Sequence, residues 1–371
     1  MVTKKDVIQC YQSLLNRDPE SEATILAQMN HQDLNSLKRE ILASAEYQYK
    51  IQTSEGGQIV TKTALEPPST PPPRTEKHPA ITPCVSRPEN PKWLVIGNCQ
   101  TTGLVNSLTI LSPDVDVEGC DVWQLSKDRE YWNDKIASYQ HLIVISDCRE
   151  SEIVDFRRYK NITWFPSFIF QAFHPDMCYV NCPDGIFKSP MDEYNSCLIF
   201  AAYQSNLSIQ ETSQLFNDDV YRGVGFYDFW EYEKKSLIER FDECDLDIRA
   251  SLVHWVRSGC FMHSMNHPKI NTVYDIARLI TQKIRKKNAE SPIRPHDNLT
   301  VGPIYPIYPE IADQFGLKDG SYLFKPMGSY KQMDLKAFIE GSFQAYQHYE
   351  KHELTIYPLY EKTYNRIMTY I

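Results

Sequence analysis

Four short apolar runs follow one another after Pro91: "WLVIG" at 93–97, "DVDVEGCDV" at 114–122, "HLIVIS" at 141–146 and "NITWFPS" at 161–167. Each has strand length, and helical patterns at 102–111 and around 150–159 separate them. Strands joined by crossovers pair in parallel and are covered on both faces, so an α/β fold with a parallel sheet and flanking helices is expected. The rest, roughly 190–371, reads mostly helical, as in "NSCLIFAAYQSNLS", "YEKKSLIERFDECDLDIRASLVHWV", "NTVYDIARLITQKIRKK" and "DLKAFIEGSFQAYQHYEKH".

Ahead of this region, Val7, Ile8, Tyr11, Leu14 and Leu15 recur at helical spacing until "NRDP" ends the run. Further helices are expected over Ser21 to Met29 and Gln32 to Tyr49. From Ser54 to Pro91 the chain is proline-rich and lacks apolar periodicity, the composition of an extended tether. The expected organisation is a small all-α domain over 1–52, a linker over 53–91 and an α/β domain over 92–371.

Lysine and arginine total 39 against 48 acids in 371 residues, a net charge of −9, which argues against a broad nucleic-acid or anionic-membrane surface. The basic run from Lys283 to Asn288 is the exception, read as a solvated helix end or a phosphate contact. No 18-residue apolar run is present and the first residues lack a signal-peptide pattern, so the expectation is a cytoplasmic protein without a membrane span. The 10 cysteines follow no repeated framework and are expected to be mostly reduced.

One of them stands apart. In "WLVIGNCQTTGL" the first strand ends at Gly97, and Asn98-Cys99-Gln100 occupies the turn into a helix. Ligands of open parallel sheets gather at the carboxyl ends of strands. Glycine permits the sharp turn, helix-start amides can hold an anion, and the helix dipole lowers a thiol pKa. Cys99 is thus either a nucleophile or a small apolar residue packing the turn. The turn has neither the lysine of a P-loop nor the G-x-G-x-x-G spacing of a dinucleotide site.

A nucleophilic thiol needs a base. His174 in "FHPD" and His267 in "NHPK" each precede proline, which favours extended or turn backbone and display from a loop. Metal ligation is not expected. His263 and His267 lack the glutamate of H-E-x-x-H, and Pro183 interrupts the helix that His174, Cys178 and Cys182 would need.

Together "WLVIGNCQTTGL", "LIVISDCRE", "ITWFPSFIFQAFHPDMCYV", "NHPK" and "DNLTVGPIYPIYPEIADQFGL" resemble the WcbI-type polysaccharide-biosynthesis acetyltransferase family, over roughly residues 92–325. The N-terminal strings "YQSLLNRDPES" and "LKREILASAEYQ" resemble a helical module attached to bacterial glycosyltransferases. The first resemblance implies coenzyme A or acetyl-CoA as co-substrate and acetyl transfer to a sugar hydroxyl in capsular or exopolysaccharide assembly. A glycan acceptor and glycosyltransferases or other assembly proteins are the implied partners.

It also implies an SGNH-hydrolase-like, or Rossmann-like, arrangement in which Cys99 stands for the serine of G-D-S and His267 for the histidine of D-x-x-H. Ser264 stands where that motif has aspartate. The orienting acid is then expected elsewhere, at Asp176 or Asp147. The implied catalytic set is Cys99, His267, His174 and Asp176. Gly97, Asn98 and Gln100 would form the coenzyme turn and oxyanion site, with Arg149 and the Lys283 to Lys287 cluster on the phosphates. Two other functions use the same residues: a cysteine-dependent esterase of SGNH-like type, and a non-catalytic scaffold in a glycan-assembly complex.

Overall fold

The computed structural model describes residues 2–11, 29, 31, 37, 90–127 and 129–371. The chain divides into two compact units, Met1–Cys84 and Val85–Ile371.

In the first unit α1 (Lys4–Cys10) opens on a capping box, with Thr3 Oγ1 accepting from the Asp6 N–H and the Asp6 carboxylate accepting from the Thr3 N–H. This satisfies donors that a helix start otherwise leaves unpaired. Among the described residues Val2, Val7, Cys10, Tyr11 and Leu37 form a small buried cluster. The remaining expected helices of this unit, and the linker through residue 89, lie outside the described residues.

In the second unit β1 (Lys92–Gly97), β2 (Asp116–Asp121), β3 (His141–Ile145) and β4 (Ile162–Phe165) form a parallel sheet of order β2-β1-β3-β4. Alternation along β1 sends Trp93 and Val95 into one core and Leu94 and Ile96 into another. Both faces are therefore covered. Leu94, Val95 and Ile96 are fully buried, each contributing roughly 1.5–3 kcal/mol on leaving water.

Helix α2 (Thr101–Leu111) leads from β1 to β2, and α3 (Val122–Lys127) and α4 (Arg129–Ile136) lead on to β3. The sequence pattern did not single out α4, whose buried residues are only Trp132 and Ile136. The helix expected over about 150–159 does not form. Two 3-10 turns, Ser146–Cys148 and Phe156–Arg158, stand near that stretch instead. Ser151 and Asp155 side chains accept from the N–H groups of Ile153 and Arg157, local bonds that compete with a helix.

Beyond the sheet, β5 (Met177–Cys178) pairs with β8 (Asn195–Ser196), and β6 (Val180–Cys182) pairs with β7 (Gly185–Ile186) and β11 (Thr355–Ile356). The helices are α5 (Cys197–Gln204), α6 (Ile209–Ser213), α7 (Asp218–Gly223), α8 (Phe229–Asp242), α9 (Arg249–Arg257), α10 (Ile270–Arg285), α11 (Pro309–Gln314), α12 (Leu335–Tyr346) and α13 (Glu361–Tyr370). The apolar periodicity from Tyr232 to Val256 is divided between α8 and α9, with Asp245 left-handed at φ 51° in the turn. Helix α10 packs on α2, and a short antiparallel hairpin of β9 (Met262–Ser264) and β10 (His267–Pro268) precedes it.

The neighbours of β1 lie on opposite sides, β2 reached through α2 and β3 through α3 and α4. The crevice of such a sheet opens at the carboxyl ends of the two strands where the order reverses, here β1 and β3. Gly97-Asn98-Cys99 therefore stands at the switch point.

Candidate active site

The turn after β1 is held by its own polar groups. Asn98 Oδ1 accepts from the Gln100 N–H at 3.1 Å, and the Asn98 carbonyl accepts from the Thr101 N–H at 2.9 Å and the Thr101 hydroxyl at 2.6 Å. Glycine is required at 97 by close approach: a Cβ there would lie 2.9 Å from Thr101 Oγ1 and 3.2 Å from the Phe165 ring. Two amides expected to hold an anion, those of Gln100 and Thr101, are thus already engaged. The thiol also departs from expectation. Burial, opposed by a backbone hydrogen bond and reinforced by Asp121, pushes Cys99 up to about 11. At neutral pH it is a thiol, because desolvation outweighs what the helix start offers.

Gln100 ties this turn to the β9–β10 hairpin. Its side chain is buried, and Nε2 donates to the carbonyls of Phe168 at 3.2 Å and Asn266 at 3.0 Å. Both amide hydrogens are spent, so Gln100 positions the turn and has no side-chain donor left for an oxyanion. Asn266 continues the link. Its Nδ2 donates to the Tyr179 hydroxyl at 3.1 Å, and its Oδ1 accepts from the hydroxyls of Tyr194 and Ser264. The Tyr194 oxygen lies 3.3 Å from His267 Nε2, and the rings meet edge to face. Among the described residues no hydrogen bond joins Cys99 to His267; the only side-chain partner of the thiol is Asn98 Oδ1 at 4.0 Å.

His267 is held neutral. Burial, aided by His263 and opposed by Asp297, brings its pKa down to about 4. The fully buried Ser264, at the position where the D-x-x-H pattern has its acid, serves Asn266 and Tyr194. A carboxylate does reach this corner from the turn before Asn298–Val301. His263 Nε2 donates to Asp297 Oδ2 at 2.8 Å, and the same oxygen accepts from the Ile270 N–H at 2.9 Å, at the start of α10. Burial works to raise the Asp297 carboxyl, but these bonds hold it below the usual range.

The other expected site residues lie elsewhere. His174 is 2% exposed, donates from Nε2 to the Tyr305 carbonyl at 3.0 Å, and is driven down to about 3 by burial. Asp176, fully buried, accepts from the Leu198 N–H at 2.9 Å and the Tyr308 hydroxyl at 2.6 Å, and burial raises it to about 7. It anchors the first turn of α5 and does not orient His267. Asp147 accepts from Ser167 at 2.6 Å, at the end of β4. Arg149 follows β3 as expected, but it donates to the Glu243 carbonyl at 2.9 Å and lies over Trp164.

The basic run closes α10. Lys283 donates to the Cys244 carbonyl at 2.6 Å, Arg285 makes a bidentate pair with Asp114, and Lys286 is left-handed. At 1.5 Å rise per residue this end is about 22 Å from the helix start beside His267. Nearer to His267, a cleft of about 420 Å³ at the start of α10 is lined by Lys269, Asn271, Thr272 and Arg294, with Trp255 and Phe261 among its apolar residues. Its carboxylate, Asp275, accepts from Trp255 Nε1 at 2.7 Å.

Among the described residues no group of three or more histidine, cysteine or acidic side chains could hold a metal, the nine cysteines are free, and no helix is long and apolar enough to cross a membrane. The site thus offers a neutral imidazole, a protonated thiol and a tyrosine hydroxyl at a sheet switch point, which suits proton abstraction from a bound hydroxyl. Asp297, Asn266 and Tyr194 were missed from sequence. A polar cluster around His267 was visible, but which distant residues close on it was not.

Residues 92–287 match the family described as polysaccharide biosynthesis enzyme WcbI. A solved structure of WcbI, described as a novel polysaccharide biosynthesis enzyme and as native protein without a disulfide bond between coenzyme A and one of its cysteines, is similar in fold. It shares 15% identity and a TM-score of 0.55, with 76% of this chain and 95% of that chain covered. No curated protein matches.

Proposed function

The chain belongs to the WcbI family of polysaccharide biosynthesis enzymes, and from that premise we propose that it transfers an acyl group, acetyl in the simplest case, from coenzyme A to a sugar hydroxyl. The observation that carries this reading is the neutral His267 beside Tyr194 and Asn266, tied through Gln100 to the Cys99 turn. In this reading His267 takes the proton of the sugar hydroxyl as its oxygen attacks the thioester carbonyl. The carbon–sulfur bond breaks, and the same proton passes to the departing coenzyme A thiolate. Cys99 lines the thioester pocket as a thiol rather than taking the acyl group, since burial opposes its ionisation.

Coenzyme A enters as a substrate, and its suggestion comes from the WcbI structure named above. The donor set fits it. Lys269 and Arg294 would meet phosphates, replacing Arg149 and the Lys283 to Lys287 cluster in that role. An SGNH-like ancestry of the site, glycosyltransferases as partners of the N-terminal module and a cytoplasmic location belong to the same proposal.

The test is unfolding temperature with coenzyme A, acetyl-CoA and inorganic phosphate. Binding at a hundred times the dissociation constant stabilises by about 2.7 kcal/mol, so coenzyme A should raise the midpoint by several degrees and phosphate should not. Acetyl-CoA consumption without a sugar acceptor would favour the esterase, and absence of a coenzyme A shift would end the proposal.

A further inference from the structure

The carboxyl edge of β2 lies beside the Cys99 turn. Gly97 and Asp121 are partners in the parallel register of β1 and β2, so the two strand ends stand level, about 4.8 Å apart. Gly119 shows which face of β2 meets α2, since a Cβ there would lie 2.9 Å from Val105 Cγ2 and 3.0 Å from Thr101 Cγ2. Side chains of a strand alternate, so Asp121, two residues on, lies on that same face. It stands level with the turn that carries Cys99.

Three neighbouring side chains at this edge are open to a ligand. Asp121 is half-buried, and its bonds run through its backbone: the N–H donates to Gln124 Oε1 at 3.0 Å, and the carbonyl accepts from the Cys120 thiol at 3.5 Å. Among the described residues its carboxylate takes part in no hydrogen bond or ion pair, and so keeps its capacity to accept. Gln124, held by its oxygen, keeps its amide hydrogens to donate. Trp123, at 47%, is the only exposed one of the six tryptophans. It presents a flat apolar ring with an N–H at its edge.

An acceptor, a donor and an aromatic face within four residues suit a sugar, whose hydroxyls give and take hydrogen bonds and whose C–H faces stack on flat rings. Charge separates this edge from the cleft at the start of α10. Lys269 and Arg294 in that cleft suit the phosphates of coenzyme A, whereas a carboxylate repels them. An acid at the end of the second strand of a doubly wound sheet holds ribose hydroxyls in dinucleotide sites. The ribose of coenzyme A carries a phosphate next to its free hydroxyl, which makes it a poor match for Asp121.

We propose that Asp121, Trp123 and Gln124 form the acceptor subsite, and that it selects an uncharged sugar over a uronic acid or a sugar phosphate. Trp123 carries the ring, Asp121 and Gln124 hold its hydroxyls, and the ring lies one strand spacing from the Cys99 turn. The role as acceptor rests on the acyl-transfer reading; the binding of a neutral sugar does not.

The test uses the full chain labelled with 5-fluorotryptophan, the Trp123 fluorine resonance being assigned with Trp123→Phe. The methyl glycosides of glucose, galactose and mannose are titrated, each beside its methyl uronide as the charged probe. At least one neutral glycoside should shift the Trp123 resonance saturably and bind about tenfold or more tighter than its uronide. Trp123→Ala should weaken that glycoside by about tenfold in saturation-transfer NMR, the worth of a stacked ring. Asp121→Asn removes the charge and keeps a polar side chain, so the uronide should gain on the neutral sugar. A Trp123 resonance that no neutral glycoside moves, or that the uronides move equally well, overturns the proposal. Sugar binding at Trp123 without a coenzyme A shift in unfolding temperature leaves the subsite standing and ends the acyl-transfer reading; a coenzyme A shift with an unmoved Trp123 ends the subsite alone.

Discussion

Two histidine-proline dipeptides occupy equivalent sequence settings and opposite physical ones. His174-Pro175 ends in the core, where His174 donates to Tyr305 and Asp176 receives Leu198 N–H and the Tyr308 hydroxyl. His267-Pro268 forms an edge of the β9–β10 hairpin, with Tyr194, Asn266, His263 and Asp297 around a partly exposed ring. Proline sets only the backbone before it. Both imidazoles keep an Nδ1 without a hydrogen-bond partner among the described residues, so what separates them is access: His174 is closed into the core, whereas His267 stays partly open beside the Cys99 turn.

The widest separation between the two regions should come from Asp176. Its removal strands two buried donors at about 1–3 kcal/mol each, so Asp176→Ala should lose about 3 kcal/mol or more in urea unfolding. The sign of its pH dependence follows from burial raising the carboxyl to about 7. The folded state binds the proton more tightly, so this contribution is complete below the unfolded carboxyl value of about 3.9 and is lost as pH rises through about 7. Asp176→Asn should remove that decline. A wild-type midpoint for Asp176→Ala would place the acid outside the load of the core and break the comparison.

Next in size is the crossed pair of histidine variants. His267→Ala should lower acyl transfer by about 100-fold or more, the usual worth of a positioned base, with an unfolding midpoint close to wild type. His174→Ala should do the reverse, losing about 2 kcal/mol to the cavity and the unpaired Tyr305 carbonyl while each folded molecule keeps its activity. Transfer lost in His174→Ala at full folding would mean that the core cluster carries chemistry after all.

The same contrast explains what could be read from the sequence. The strands were legible because β1 and β3 are apolar on both faces, α10 and α12 because their apolar residues recur on one side, and α5 because it is an unbroken apolar run from Cys197 to Ala202. The turn at 97–100 was legible because a strand end fixes its place. Helix α4 was not, since it offers the core only Trp132 and Ile136. Asp297 stayed hidden because its link to the site is a contact between a hairpin and a turn thirty residues away, made through His263. The fate of Asp176 was equally invisible: beside a histidine in the chain, it is claimed in space by α5 and Tyr308.

Cys99 gives the smallest expected effect and the finest distinction. If the thiol attacked the thioester, its removal would cost orders of magnitude, as loss of a nucleophile does. The structure holds it protonated by burial, with Asp121 opposing the thiolate and no hydrogen bond to His267 among the described residues. The proton of the sugar hydroxyl then goes to His267 whether or not the sulfur is present. Cys99→Ala should therefore keep coenzyme A binding and lose less than about tenfold in transfer, under about 1.4 kcal/mol, measured as acetyl-CoA consumption with a sugar acceptor. A loss as deep as that of His267→Ala, together with an acylated wild-type protein in mass spectra, would make the turn after β1 the covalent centre and reduce His267 to its base.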